Sequence, residues 1–348
     1  MTTDVRPARR PKVVRTDAEL ECSGLGAALR VQAVDLVALH GDMSEAAFCA
    51  EMADVDLLLM CYAPVTTRVI AAAKRLRGIV KYGVGIDAID IPAVMMRGIP
   101  MVNVPDYAEQ TVAEGAFALM LALAKRLPGI GRQMQRDGWL WPEVRWLGRD
   151  IAGATVGIVG CGRIGQTLAR MAGAGFRARV LGYDPNVDAV EMAHHGIEKC
   201  DDLHALLRAS DFVSVHPVLN EATRGLIGPA ELACLRRDAI LVNSARGALI
   251  DEAALVEAAV AGRLRGLALD VCSREPLTRE GHVLSPLFRR DDVILFPHRT
   301  FFTHEAMALL EADTLARCRE VLEGRQVRVL SHDPRLRAQR HGVDFSTH

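Results

Sequence analysis

Three residues on separate loops have side chains suited to one carbonyl reaction. Arg246 stands in Asn243-Ser244-Ala245-Arg246-Gly247, just after an apolar run. A guanidinium there could grip a carboxylate and a neighbouring carbonyl oxygen in a planar fork. His298 follows Pro297, whose fixed geometry would hold the imidazole at the mouth of a site. Histidine suits proton transfer near neutral pH. Glu275, before Pro276 in the loop after Asp270-Val271, could bond to that imidazole, raise its pKa and fix its orientation. Taken singly, each has a plainer reading: a surface arginine, a hydrogen-bonded structural histidine, a solvated loop acid.

A second constellation concerns phosphates. In Ala154-Thr155-Val156-Gly157-Ile158-Val159-Gly160-Cys161-Gly162-Arg163-Ile164-Gly165 an apolar strand runs into G-x-G-x-x-G, and a helical pattern follows through Phe176. Gly160 permits the tight turn, Gly162 lets backbone approach a pyrophosphate, and Gly165 lets helix pack on strand. Arg163 and Ile164 open the helix whose amides would face the phosphates. Asp184 lies nineteen residues after Gly165, ending the next apolar run, where an acid would bind the adenosine ribose diol. The loop and this acid together read as a site for NAD rather than NADP, the plainer reading of Asp184 being an Asp-Pro turn. His216-Pro217 fits a wall beside the adenine half. Upstream, Lys81-Tyr82-Gly83-Val84-Gly85-Ile86-Asp87 ends a strand with two close glycines. Their exposed amides could hold an anionic group in a backbone nest, or simply form a tight turn.

These groups need a scaffold, and the hydrophobic pattern supplies one. Asp184, His216, Arg246, Asp270 and His298 each close or shortly follow an apolar strand, and ligands of open α/β sheets bind beyond the carboxyl ends of the strands. In the first half, strands are expected at 13–14, 34–39, 57–61, 79–82 and 101–102. Helices are expected from 45 to 53 (capped by Ser44), 67–76 and 91–96. A long apolar helix over 108–127 follows, then an irregular connector holding all three tryptophans, Trp139, Trp141 and Trp146. Strands are expected again at 155–159, 180–183, 212–215, 240–243, 267–269 and 293–296. Helices are expected at 202–208, 229–235 and 252–261, with a last one at 305–322; residues 331–348 read as a polar tail. Alternating strand and helix predicts parallel sheets covered by helices.

Composition narrows the classes. The 348 residues suit two domains; half are apolar, 24% are charged, and the formal net charge is −1. No basic stripe interleaves with aromatics, so a nucleic-acid partner is not expected. Eight cysteines without a C-x-x-C pair suit reduced thiols in a cytoplasm rather than disulfides or a metal site, and Cys161 reads as a small filler of the glycine loop. The first twelve residues lack the apolar core of an export signal, and the longest apolar run, 113–124, is too short to span a bilayer.

Taken together, GCGRIG with Asp184, NSARG, ALDVCSREP, Pro297-His298, YGVGID, Asn103-Val104-Pro105 and Thr111-Val112-Ala113-Glu114 resemble the D-isomer-specific 2-hydroxyacid dehydrogenases over residues 12–325. The resemblance implies an α/β protein with two Rossmann-like domains of parallel sheet. An NAD-binding domain (107–298) would be inserted into a flavodoxin-like substrate domain (1–106 plus 299–330). It implies Arg246, Glu275 and His298 as the catalytic residues. Asp270 would stand beside the nicotinamide, Thr111 would line its pocket, and Ala245 would count with the cofactor-binding residues. Val84 and Gly85 would bind the substrate carboxylate. A homodimer is implied too, with the long helix and tryptophan-rich connector as its candidate interface. The substrate would be a small 2-oxo or 2-hydroxy acid.

Two departures bear on which acid. After His298 come Arg299-Thr300-Phe301-Phe302, closer to the D-lactate dehydrogenase branch, so Phe301, with Tyr62 and Phe302, could wall an apolar pocket. Where phosphoglycerate dehydrogenases carry an Arg-Ser pair, this chain has Cys61-Tyr62, and it does not carry the regulatory domain of many of them; a phosphorylated substrate is not expected. Two alternatives remain: a same-fold enzyme for phosphite or formate, the latter disfavoured by Glu275, and a dinucleotide-sensing corepressor.

Overall fold

The apolar runs form two all-parallel sheets. The computed structural model describes residues 9–346; most of the basic opening segment, read above as no export signal, lies outside them. The chain divides into two compact units, one from its start to Tyr107 plus Thr303 onward, the other Ala108–Phe302.

In the first unit, β1 (Lys12–Arg15), β2 (Asp35–Ala38), β3 (Leu57–Met60), β4 (Gly78–Lys81) and β5 (Met101–Asn103) are ordered β2-β1-β3-β4-β5. That is the flavodoxin-like order. β3 and β4 are buried throughout, as central parallel strands covered on both faces must be. Ser44 caps the helix Glu45–Glu51, its Oγ accepting the Ala47 N–H at 3.2 Å.

In the second unit, β6 (Thr155–Val159), β7 (Arg179–Tyr183), β8 (Glu198–Lys199), β9 (Phe212–Val215), β10 (Ile240–Asn243), β11 (Gly266–Leu269) and β12 (Val293–Leu295) are ordered β12-β11-β10-β9-β6-β7-β8. Chain order reverses between β6 and β9. This is the doubly wound dinucleotide-binding arrangement with one further strand, and its crevice opens at the switch point. The buried cluster on one face joins Phe117, Met120 and Leu123 to Val156, Ile158, Phe212, Ile240 and Val242.

Two expectations need correction. The helix expected over 108–127 runs only Glu109–Ala124, and a separate helix follows at Leu127–Asp137. Pro128 has no N–H to give the Ala124 carbonyl, which instead accepts from Arg149 at 2.7 Å, and Arg126 turns the chain with φ +57°. Residues 331–348 are not merely a polar tail over their described part. A short helix (Pro334–Arg337) buries Leu336, and β13 (Val327–Arg328) pairs with β14 (Val343–Asp344). Gln339 uses its carboxamide as a strand would use a peptide, accepting the Met101 N–H and donating to the Met101 carbonyl, both at 2.8 Å. The edge of β5 is thereby covered. Among the described residues no helix is long and apolar enough to cross a membrane.

Candidate active site

The carboxyl ends of the second sheet carry the glycine turn. Gly160 has φ +88°, and a Cβ there would lie 2.5 Å from the Pro217 nitrogen; at Gly165 it would lie 2.3 Å from the Gly160 carbonyl oxygen. Those two glycines are demanded by the fold itself. Gly162 is different: a Cβ there would meet nothing within 4 Å. Gly162 stands just before the helix Arg163–Arg170, where amides without intrahelical partners begin, so this open cradle fits a pyrophosphate. Asp184 closes β7. Its Oδ2 accepts the Cys161 N–H at 3.0 Å and its Oδ1 the Asn186 N–H at 2.9 Å. The Asp-Pro turn is therefore real, and it anchors the acid against the glycine loop; a carboxylate keeps further lone pairs for ribose hydroxyls. Cys161 is buried against Gly182, and burial pushes its thiol up to about 12, which suits a filler and not a nucleophile. Arg163 pairs with Glu109 at the start of the long helix, and Thr111 lies half-buried in that helix's first turn.

His216 follows β9 and is half-buried, its Nε2 2.8 Å from Ser214 Oγ, with its pKa driven down to about 4 by burial. It is thus a neutral ring, and its backbone presses on Gly160.

Glu275 and His298 meet. Glu275 Oε2 lies 2.8 Å from His298 Nδ1, while Oε1 accepts the Cys272 N–H at 3.2 Å. Burial pushes the glutamate pKa up, but the bond to His298, its charge, the Cys272 amide and Arg246 outweigh this and leave it below the ordinary value. Phe301, buried, sets its ring edge-to-face to the imidazole with centroids 6.1 Å apart; Phe302 is exposed, with Arg299 over its face at 5.0 Å. Arg246 is half-buried on an extended backbone. Its Nη1 donates to the Ala245 carbonyl at 2.7 Å, and Asn243 holds the loop by accepting the Ala245 N–H and donating to the Arg246 carbonyl. Next to it, a Cβ on Gly247 would stand 2.0 Å from the Cys272 carbonyl carbon, so the arginine loop and the Glu275 loop touch backbone to backbone.

Asp270 is 1% exposed, and both of its carboxylate oxygens are engaged. They accept the Arg299 N–H at 2.7 Å, the Thr300 N–H at 3.1 Å and the Thr300 hydroxyl. The Asp270 carbonyl accepts the His298 N–H at 2.7 Å. His298 itself is left-handed, φ +52°, a conformation that needs such support. Two residues escape sequence reasoning. Glu252, buried at a helix start, accepts both the Ser273 N–H and hydroxyl at 2.6 Å, pinning the loop that bears Glu275. Ser244, in the Arg246 loop, has a buried hydroxyl oxygen without a hydrogen-bond partner among the described residues. A helix-capping sequence such as Asp251-Glu252 carries no mark of a partner 21 residues on.

Of the remaining expected residues, Tyr62, Val84 and Gly85 belong to the first unit. Tyr62 and Val84 are exposed, and Asn103 Nδ2 donates to the Val84 carbonyl at 2.6 Å.

Residues 117–300 match the family model described as D-isomer specific 2-hydroxyacid dehydrogenase, NAD binding domain. The chain is 38% identical over 272 residues to D-3-phosphoglycerate dehydrogenase of Methanocaldococcus jannaschii, covering 78% of this chain and 50% of the relative; the chain thus spans about half the length of such relatives. It is 38% identical to glyoxylate reductase of Korarchaeum cryptofilum, covering 72% of this chain and 76% of the relative. The crystal structure of D-lactate dehydrogenase from Aquifex aeolicus with NAD and lactic acid superposes with a TM-score of 0.80 at 26% identity, over 90% of this chain and 96% of that one.

Proposed function

The chain belongs to the D-isomer specific 2-hydroxyacid dehydrogenase family, with an NAD-binding domain, and we propose that it interconverts a small 2-oxo acid and its D-2-hydroxy acid. The observation that carries this reading is the Glu275–His298 pair, 2.8 Å apart, on the same sheet edge as the glycine cradle and Arg246. The loop Gly160–Gly165, with Arg163 and Ile164, holds the pyrophosphate, and Asp184 takes the ribose diol and favours NAD over NADP. Thr111, His216, Ala245 and Asp270 complete the cofactor-binding wall, Asp270 by fixing the turn after His298. Bound NADH supplies the hydride for reduction of the substrate carbonyl.

Arg246 binds the carboxylate and polarises the carbonyl through its planar fork. With Nδ1 committed to Glu275, Nε2 is the nitrogen of His298 that gives its proton to the forming alkoxide, and in oxidation it takes the proton back. Glu275, its carboxyl held below the ordinary value, stays ionised at neutral pH and fixes the orientation of the ring through Nδ1. Tyr62, Val84 and Gly85 serve the substrate in the first unit, Val84 and Gly85 by their amides; Phe301 backs the imidazole. The chain acts in the cytoplasm as a homodimer. Trp139 and Trp141, 71% and 76% exposed, together with exposed Val144 and Leu147, support an interface there.

The test is a panel of pyruvate, glyoxylate, hydroxypyruvate, phenylpyruvate and 2-oxoisocaproate with NADH and NADPH. Changing His298 to Ala should lower turnover by about 100- to 10,000-fold while leaving NADH affinity near that of the wild type. Unchanged turnover, or no NADH oxidation with any acid, overturns the proposal.

A further inference from the structure

Among the described residues, Lys81 is a buried cation without a carboxylate partner. It is the last residue of β4, after Gly78-Ile79-Val80, and it is 5% exposed. A lysine is rarely buried so far unless it is paired, because an ammonium leaving water must regain its solvation from the protein. Its Nζ has three weak partners: Cys61 Sγ at 3.3 Å, the Tyr82 carbonyl oxygen at 3.4 Å, and the face of Tyr62 at 5.5 Å from the ring centroid. The buried carboxylate at the ends of these strands is Asp17, and it is already committed. Its Oδ2 accepts the N–H groups of Cys61, Tyr62 and Ala63 at 3.0, 2.9 and 3.3 Å, and the Thr16 hydroxyl as well. The loop after β3 is therefore a backbone nest filled by the protein's own carboxylate, whereas the ammonium on Cys61 Sγ has no carboxylate among the described residues.

The position of that ammonium is specific. A Cβ on Gly83 would sit 2.8 Å from Nζ, so the charge lies directly against the turn Gly83-Val84-Gly85. Gly83 has φ +137°, and Asn103 clamps the turn through the Val84 carbonyl at 2.6 Å. Amides held in place over a fixed positive charge make an anion site stronger than either alone. We infer that Lys81 is a specificity-determining residue whose missing counter-charge is the carboxylate of the substrate, held at the Gly83–Gly85 turn. The inference rests on the reading of Val84 and Gly85 given above, and it adds that the first unit selects acids by a buried charge as well as by amides.

The test uses the full chain with Lys81→Met and Lys81→Gln, which remove the charge at similar length. Steady-state kinetics on the best 2-oxo acid, and the thermal shift produced by oxamate with NADH present, are measured for each. Loss of one charge-assisted contact predicts a KM raised about ten- to a hundredfold, with kcat changed much less. The oxamate shift should vanish in both variants. Their ligand-free melting temperatures should not fall, since a lone buried charge burdens the fold. A KM within twofold of the wild type, a retained oxamate shift, or a lowered melting temperature with unchanged KM would overturn the inference. Failure of the wild type to reduce any 2-oxo acid overturns the proposed function instead, and the oxamate shift still decides the role of Lys81.

Discussion

Each of the three glycines of the turn after β6 should respond to alanine in its own way, and the difference separates the needs of the fold from those of the ligand. At Gly160 the new methyl would stand 2.5 Å from backbone nitrogen of Pro217 on a residue with φ +88°. The left-handed backbone alone costs about 1–2 kcal/mol, and the clash with main chain adds to it because Pro217 cannot swing aside as a side chain would. At Gly165 the methyl would stand 2.3 Å from the Gly160 carbonyl oxygen, about 1 Å inside van der Waals contact; overpacking of that kind costs about 1–3 kcal/mol. At Gly162 the protein offers no obstacle within 4 Å, and the backbone is already extended. Gly162→Ala therefore costs under about 1 kcal/mol, the difference between Gly and Ala at a helix N-cap. The space its methyl occupies is the cradle assigned to the pyrophosphate. Loss of one or two amide–phosphate bonds weakens NADH binding by about 1.5–3 kcal/mol each, or roughly ten- to more than a hundredfold. Thermal unfolding of the ligand-free chains and calorimetric titration with NADH read the two quantities separately. Gly162→Ala binding NADH as the wild type does, or melting as low as Gly165→Ala, would refute the assignment of the cradle.

Other consequences follow from single contacts. Glu275 has its carboxyl held below 4.5, so it contributes stability that is present above that value and is lost as the pH falls through its lowered folded-state pKa. Glu275→Gln should flatten the acid limb of melting temperature against pH and cut turnover at neutral pH; an unchanged acid limb counts against the ion pair. Gln339→Ala leaves the N–H and carbonyl of Met101 without partners at a buried edge, a loss of about 2–4 kcal/mol from two unsatisfied groups. Denaturant unfolding checks it, and a midpoint equal to the wild type would show the segment to be dispensable.

What the sequence made legible was local. Strands such as 212–215 and 240–243 are near-continuous apolar runs, interrupted only by Ser214 and Asn243, because central parallel strands are buried on both faces. The glycine turn was legible because its spacing reflects backbone geometry. What stayed hidden depends on residues far apart in the chain. Nothing in the sequence marks Glu252 as the clamp of Ser273, or Gln339 as a surrogate peptide on β5, since a polar side chain in a polar stretch looks solvated until its partner is known. The helix break before Pro128 has a local signal: the apolar run stops at Ala124, Lys125 and Arg126 follow, and the proline has no N–H with which to continue the helix.

The same distinction governs how the second unit builds its site. His298 occupies a left-handed backbone that its own side chain disfavours, so the conformation must be imposed from outside. Asp270 imposes it at both ends, its carbonyl taking the His298 N–H and its carboxylate taking the two amides that follow. Gly115 lets Thr300 in from the other side, a Cβ there falling 2.7 Å from the threonine. Glu275 then meets the imidazole from a loop that Glu252 fixes and Gly247 lets approach. Every one of these supports lies inside the unit that bears the glycine cradle. The Glu275–His298 pair is therefore preorganised by the fold of that unit itself. By contrast, Lys81 is placed by β4 of the first unit, and its surroundings are built on that unit's own sheet.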